Sequence, residues 1–444
     1  MRIAWFTPYS IKSAIARFSE AVLPELSKYA AVDLWHADGR DARETKLKEV
    51  RYQDATQVDL TRLSAYDLVV YNLGNHLPFH REILHVSRMV PGLCILHDFV
   101  MHHFFASYYL EEMKNPEAYV SAMDRLYGNT AKIIAEDSLA GKRKRVWETD
   151  EVVHYPFFED AVRSSLGVVT HSEFLRDEVR SKYPGPVCKI PLAYNLLTGG
   201  AELTRKDLAI PDKDVLIVTV GHLNPNKRIP AAIDAIASCR TLVPNLTFAV
   251  LGPYEPAYHE QLQVIVHGHG LQNVVRFLGY TADDVLRSYL AHADICINLR
   301  FPVIEGASAS LVEEMLYGKP VIVTDSGFYH ELPDNCVVKI HPDREREQLA
   351  MALRELATNP DLRNALGATA KRFAEDQFSP ARYAKELLQF AWETRNSKPL
   401  LQLADKLASE LNCMGIYRQM DIVETVSKQC YELFGDGKDP GSTT

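Results

Sequence analysis

Short apolar runs of strand character alternate with helical stretches twice along this chain, and an irregular segment around 195–211, holding Gly199-Gly200 and Pro211, separates the two series. The first series runs through Arg2–Phe6, Asp67–Tyr71, Gly92–Leu96 and Leu166–Thr170, with a clear helix over Ala14–Tyr29. The second runs through Val215–Val220, Leu246–Leu251, Val274–Leu278, Asp294–Asn298, Pro320–Thr324 and Val337–Ile340. Strands that alternate with helices pair in parallel and are covered on both faces, so two series predict an α/β protein of two doubly wound, Rossmann-like domains with a cleft between them. The 444 residues suffice for two cores of ordinary size. Beyond Ile340 the pattern is helical over Glu345–Ala357, Pro360–Gln377, Pro380–Thr394 and Ser397–Phe434. The expected organisation is an amino-terminal domain over 1–195, with a helical insertion around 99–160, and a second domain over 196–377. Carboxy-terminal helices over 378–434 follow, the first crossing back to the amino domain, and a polar tail over 435–444 is expected to be disordered.

Cysteine usage places the chain in a reducing compartment. None of its seven cysteines forms a C-x-x-C pair, and several sit in apolar strand-like runs. The start, MRIAWFTPYS, reads as a strand and turn rather than a secretory signal, and no apolar run reaches the length of a spanning helix. A cytoplasmic protein is expected, with peripheral contact at the inner face as its route to a membrane. A formal net charge of −9 disfavours nucleic acid as a partner.

The chemistry concentrates in RFPVIEGASASLVEEMLYGKP, Arg300 to Pro320. A strand precedes it, small residues fill its loop, and a helix closed by Gly318 follows. In a parallel sheet such a loop lies at the carboxyl end of its strand, where the exposed N–H groups and dipole of the next helix attract a diphosphate. Gly306, Ala307 and Ser308 leave room for a phosphate to approach the backbone. Glu305 and Glu313 flank that anion site, an arrangement that makes sense if each carboxylate binds hydroxyl groups attached to the phosphates. A nucleotide sugar has that shape.

Several ordered motifs across residues 1 to 395 resemble the retaining glycosyltransferases of glycosyltransferase family 4. The segment EGASASLVEEM is similar to the family's E-G-F-G-L-P-x-x-E-A-M, and Val220-Gly221-His222-Leu223-Asn224-Pro225-Asn226-Lys227 to its V-G-R-L-x-P-x-K. Ser13-Ala14-Ile15-Ala16-Arg17-Phe18-Ser19 resembles S-G-I-A-x-Y-S, and Leu96-His97-Asp98 a strand-end H-D. The resemblance implies the GT-B fold, two Rossmann-like domains facing a central cleft, and transfer of a sugar from a nucleoside diphosphate to a glycan, glycolipid or glycoprotein acceptor.

It also implies roles for residues. Glu313 would bind ribose hydroxyls, Glu305 sugar hydroxyls, and Lys227 would neutralise the departing diphosphate. His97 would position the sugar, making His97, Lys227 and Glu305 the catalytic group. Gly221, His222, Asn226, Lys227, Arg228, Leu278, Arg300, Glu305, Gly306, Ala307, Ser308 and Glu313 would form the donor site, with the base near Gly252-Pro253 and Phe277–Tyr280. Ser13, Ala14 and Asp98 would lie on the acceptor side. The family pattern is not followed everywhere. His222 replaces an arginine, a single donor where a guanidinium offers a charged fork. Ala14 replaces a glycine, and Ala307 and Ala309 replace Phe and Leu. No metal and no cofactor is expected; Asp212-Lys213-Asp214 precedes a strand and reads as a turn. The aromatic run Phe99–Leu110 and the basic run Lys142–Arg145 with Trp147 read as core and solvated loop, with contact to an anionic lipid-linked acceptor as the alternative. Two other functions fit the same pattern, a nucleotide-sugar epimerase or hydrolase and a catalytically silent binding subunit.

Overall fold

A computed structural model describes residues 1–10, 12–38, 47, 50–196, 202–416, 420, 422–423, 425–426 and 428–429. Gly199-Gly200 and the tail over 435–444 lie outside the described residues. The chain divides into two compact units, Met1–Leu388 and Gln389–Thr444, and the strands described all belong to the first.

The amino-terminal sheet holds β1 (Arg2–Phe6), β2 (Ala31–His36), β3 (Arg51–Asp54), β4 (Leu68–Leu73), β5 (Leu93–Leu96), β6 (Gly167–Thr170) and β7 (Val187–Lys189). Its order is β3-β2-β1-β4-β5-β6-β7, and each neighbouring pair is parallel. The second sheet holds β8 (Val215–Val220), β9 (Leu246–Leu251), β10 (Val275–Gly279), β11 (Ile295–Asn298), β12 (Val321–Thr324) and β13 (Val338–Ile340), in the order β10-β9-β8-β11-β12-β13. Each strand of the second sheet falls on an apolar run read from the sequence. Strand order reverses between β1 and β4 and again between β8 and β11, and at such switch points the carboxyl strand ends leave a crevice.

Burial on both faces explains why the central strands are continuously apolar. In the second sheet Leu216, Val218, Cys296, Val321 and Val323 enter the core on one face, while Ile217, Ile295, Ile297 and Ile322 enter the core on the other. Each aliphatic side chain so buried contributes about 1.5–3 kcal/mol.

Between β5 and β6 the chain runs through the helices His102–Ser107, Pro116–Tyr127 and Asn129–Leu139. The aromatic run belongs to their core, since Phe99, Phe104, Phe105 and Tyr109 are buried together with Tyr119, Phe157 and Phe158. The sequence Asp212-Lys213-Asp214 forms the turn before β8. A helix spans Pro380–Cys413, and near its start Tyr383 packs edge-on against Phe18 of the amino-terminal domain, ring centroids 5.1 Å apart. Among the described residues, no helix is long and apolar enough to cross a membrane.

Candidate active site

The loop after β11 is held at both ends. Asn298, the last residue of the strand, donates its side-chain amide to Ser310 Oγ at 3.0 Å and to Glu314 Oε2 at 2.9 Å. Ser308 caps the following helix, Ala309–Leu316, its hydroxyl accepting the Leu311 N–H at 3.3 Å. Across the crevice the same loop pairs with the segment after β5. The Val100 N–H donates to the Ile304 carbonyl at 2.9 Å, the Gly306 N–H donates to the His97 carbonyl at 2.8 Å, and Asp98 and Glu305 form an antiparallel bridge.

Two adjoining cavities open along this line. The larger, about 540 Å³, is lined by Ser13, Ala14, His97, Asp98, Gly221, His222, Asn226, Lys227, Arg300, Glu305, Ala307 and Ser308. The smaller, about 220 Å³, is lined by Gly252, Pro253, Tyr280 and Glu313 and shares Ser13, Ala14 and Gly221 with the first. Most of the residues expected at the site therefore come together. Three stand elsewhere. Gly306 lies behind the cavity wall in the pairing just described. Leu278 packs against the core of the second sheet. Arg228 is turned away, its guanidinium bonded to both carboxylate oxygens of Glu345 at 2.8–3.1 Å. Its left-handed backbone, φ 56°, swings its side chain off the path set by Lys227.

Buried cations at the larger cavity are Lys227 and Arg300, 5% and 8% exposed, and the exposed Lys12 also lines it. The Lys227 ammonium donates to the Val220 carbonyl. Burial, then the Arg300 charge, pushes Lys227 well below the usual lysine range, while Glu314 and Glu305 oppose that shift. Gly221 makes this placement feasible, because a Cβ there would lie 2.6 Å from the Lys227 amine. Arg300 donates to the Leu299 carbonyl at 2.7 Å and pairs with Glu305 Oε1 at 3.2 Å. The same Glu305 oxygen accepts the Tyr329 hydroxyl at 2.6 Å.

The carboxylates are poised rather than satisfied. Glu313 Oε1 and Glu314 Oε1 are buried without a hydrogen-bond partner. Burial raises the Glu313 pKa, the Tyr194 hydroxyl and Arg17 hold it down, and Asp283 adds a further upward push. Arg17 itself pairs with Asp283 across the crevice. Burial lifts Glu314 to about 8 against the pull of Asn298, Arg300 and Lys227. Asp98 is lifted to about 7 by burial, with the Asn75 N–H opposing and the Glu305 charge reinforcing.

His97 sits at the carboxyl end of β5 with both ring nitrogens engaged. Nε2 meets Asn72 Oδ1 at 3.0 Å and Nδ1 meets His171 Nε2 at 3.3 Å. The ring therefore offers the cavity its edge rather than a free nitrogen. Burial lowers the pKa of His97 well below the usual histidine range and that of His171 to about 4.

Arg17, Tyr194, Asp283 and His171 line the cavities and were passed over by motif reading, and Glu314 is buried behind them against Asn298. Arg17 lies three residues after Ala14, one turn along the same helix face, so the spacing carried its signal. His171 follows the end of β6 as His97 follows the end of β5.

Residues 201–373 match the family model of glycosyl transferases group 1. The second sheet and its loops form a group 1 glycosyl transferase domain. Over 179 residues, 40% of this chain, the sequence is 27% identical to the lipopolysaccharide glucosyltransferase WaaG of Escherichia coli K12. Over 180 residues, 39% of this chain, it is 27% identical to a GDP-mannose-dependent α-(1-6)-phosphatidylinositol monomannoside mannosyltransferase of Mycobacterium tuberculosis. Each match spans 46% of the relative's own length, so the chain covers under half of these curated relatives. Among solved structures, the sucrose-phosphate synthase of Thermosynechococcus elongatus superposes with a TM-score of 0.61 at 16% identity, covering 88% of this chain and 98% of that one. Anabaena HepE gives 0.60 at 16% identity, covering 88% and 100%, and WaaG gives 0.56 at 17% identity, covering 86% and 98%. At such identities the likeness concerns the fold alone, and that fold is GT-B. In this glycosyl transferase domain Gly221 and Lys227 follow the carboxyl end of β8, Glu305 lies in the loop after β11, and Glu313 lies in the helix that this loop leads into.

Proposed function

We propose that this protein transfers a sugar from a nucleoside-diphosphate sugar to a glycan, glycolipid or glycoprotein acceptor, with retention at the anomeric carbon and without a metal. The observation that carries the reading is Glu313, a 3%-exposed carboxylate with an unpartnered oxygen, lining a cavity with Lys12 and Arg17 that adjoins the one lined by the buried cations Lys227 and Arg300. A buried acceptor left unmade is costly, and ribose hydroxyls would satisfy it.

In this reading the base lies against Gly252, Pro253 and Tyr280, the ribose reaches Glu313, and the diphosphate crosses Gly221 toward Lys227 and Arg300. Glu305 keeps Oε1 on Tyr329 and Arg300, leaving Oε2 for sugar hydroxyls. The acceptor oxygen forms its bond to the anomeric carbon as the bond from that carbon to the phosphate oxygen breaks. The acceptor's proton passes to that phosphate oxygen on the same face. Lys227 and Arg300 stabilise the charge that develops there, and His97 with the paired backbones of 97–100 and 304–306 fixes the sugar's position. The names of the curated relatives, a glucosyltransferase of lipopolysaccharide and a mannosyltransferase of a phosphatidylinositol glycolipid, favour a lipid-linked acceptor and a hexose donor. Such an acceptor would be met at the cytoplasmic face of a membrane, the protein binding there peripherally.

The test is a melting-temperature screen of UDP-, GDP- and ADP-hexoses followed by assay of nucleotide release. One donor should raise the melting temperature, the added stability reaching about 2.7 kcal/mol at a hundred times its dissociation constant, and that donor should be slowly hydrolysed without acceptor. Absence of both effects with every donor would leave the silent binding subunit as the better reading.

A further inference from the structure

Asn72, His97 and His171 form a hydrogen-bonded series whose proton count does not close when both imidazoles are neutral. At one end Asn72 donates its amide to the Phe6 carbonyl at 2.9 Å, which fixes its Oδ1 toward His97. His97 Nε2 must then carry a proton to reach Oδ1 at 3.0 Å. At the other end His171 Nδ1 faces the Ile190 carbonyl at 3.0 Å and must carry a proton as well. Two neutral imidazoles hold two N–H groups in all, and those two are now used. His97 Nδ1 and His171 Nε2 would face each other at 3.3 Å as two lone pairs.

We propose that His97 and His171 bind one excess proton as a pair, and that they take it up when a sugar diphosphate enters the cavity beside them, so that His171 acts through His97 as a positioning residue for the donor. The third proton lies between the rings, completes all three contacts and places one positive charge at the strand ends of β5 and β6. This rests on the donor reading above.

The surroundings decide when the proton binds. Both rings are buried, at 8% and 2% exposed, and burial opposes the charge. Phe18 and Tyr383 close the series with aromatic faces, centroids 5.0 Å from His97 and 5.9 Å from His171 respectively. His80, from the helix Leu77–Met89, is neutral through burial, its pKa near 3. Lys227, Arg300 and Lys12 along the cavity wall add to the cost, His76 and His222 also line the cavity, Glu305 reduces the cost, and Asp98, lifted to about 7, reduces it only in part. A diphosphate shifts this balance, because it sets its own negative charge against Lys227 and Arg300 and faces the histidine pair across a low-dielectric cavity. A complex that raises the pair's pKa binds a proton as it forms. Donor affinity must therefore fall as pH rises through the raised pKa and level off below the lower pKa of the empty pair.

Calorimetric titration with UDP-glucose and GDP-mannose, whose diphosphates do not titrate near neutrality, in buffers of differing ionisation enthalpy counts the protons bound. Uptake approaching about one proton per chain at neutral pH is expected for the donor that binds. His171→Gln supplies a non-titrating donor to His97 Nδ1; it should keep the melting temperature and remove the pair's proton from the uptake, so that whatever uptake and pH dependence of affinity persist belong to Lys227. A structural role for His171 would alter affinity equally at every pH and leave the uptake in place. Binding with uptake near zero in the unaltered protein overturns the pairing and leaves the donor reading intact. Failure of both sugar nucleotides to bind overturns the donor reading and this inference with it. An arm without ligand reads the tautomers directly: nitrogen-15 spectra of labelled histidine should give Nε2–H on His97 and Nδ1–H on His171, and the same tautomer in both rings would refute the count.

Discussion

Gly306 and His97 are joined through their backbones across the crevice, the glycine N–H donating to the histidine carbonyl at 2.8 Å. A Cβ at position 306 would lie 2.8 Å from that same carbonyl oxygen and 2.6 Å from Leu175 Cδ2. The residue must be glycine because two strand-end loops, one from each sheet, approach within main-chain bonding distance there. The contact also sets how far Glu305 stands from Asp98.

Gly306→Ala should therefore separate the loops without touching the donor. The leucine can rotate, but the carbonyl cannot, so overpacking of about 1–3 kcal/mol is expected. Thermal unfolding and turnover, measured together, check this: both should fall, with the dissociation constant of the bare nucleoside diphosphate nearly unchanged. A fully active, fully stable alanine variant would mean that the loops do not close in this way.

Glu313→Gln should weaken donor binding while stabilising the empty protein. The folded pKa of Glu313 is raised by burial, so its contribution to stability is fullest below the ordinary carboxylate range and declines as pH climbs through the raised value. Glutamine carries no such penalty. Its melting temperature should exceed that of the parent at neutral pH, and the difference should vanish on acidification. Loss of a charged acceptor for two hydroxyls costs about 1.5–3 kcal/mol, or roughly 10- to 100-fold in the dissociation constant.

Much of the fold could be read from the chain because its central strands are buried on both faces. β8, β11 and β12 read as unbroken apolar runs for that reason. Three strands of the first sheet were not found: β3 and β7 span four and three residues with no side chain fully buried, and in β2 Asp33, buried against Arg2, interrupts the apolar run. At the cavities, Glu305 and Glu313 were singled out by their spacing and Lys227 by the family resemblance, and all three line them. Glu314 was not, because neighbours on a helix ordinarily point apart, yet Asn298 draws this second carboxylate inward and leaves both buried. His171 needed only the strand-end argument already applied to His97.

Lys227→Met should reduce turnover more than binding. In the proposed reaction the amine would meet the leaving diphosphate, whose charge grows in the transition state, so a loss of about 10²- to 10³-fold in kcat is expected with a far smaller change in the donor's dissociation constant. Burial holds the Lys227 pKa low in the empty site, and a bound diphosphate raises it. Turnover of the parent should consequently decline at alkaline pH as the ammonium is lost, and the methionine variant should lack that limb. Parallel alkaline limbs in both would assign the titration to another group.

Arg228 supplies the sharpest contrast between neighbours in sequence and neighbours in space. It follows Lys227 directly, but its left-handed backbone turns the guanidinium onto Glu345, which leads the helix Glu345–Thr358. The glutamate is 9% exposed at its side chain and the arginine 39%, so solvent screens the pair from one side and its loss should cost about 1 kcal/mol. Arg228→Ala should accordingly lower the melting temperature and leave donor affinity and kcat unchanged. Adding Glu345→Gln to Arg228→Ala removes the stranded carboxylate and should recover part of the stability, which a double-mutant cycle on unfolding free energy measures directly. A drop in donor affinity comparable to that of Glu313→Gln would instead place the guanidinium on the diphosphate, with its bond to Glu345 broken whenever donor is bound.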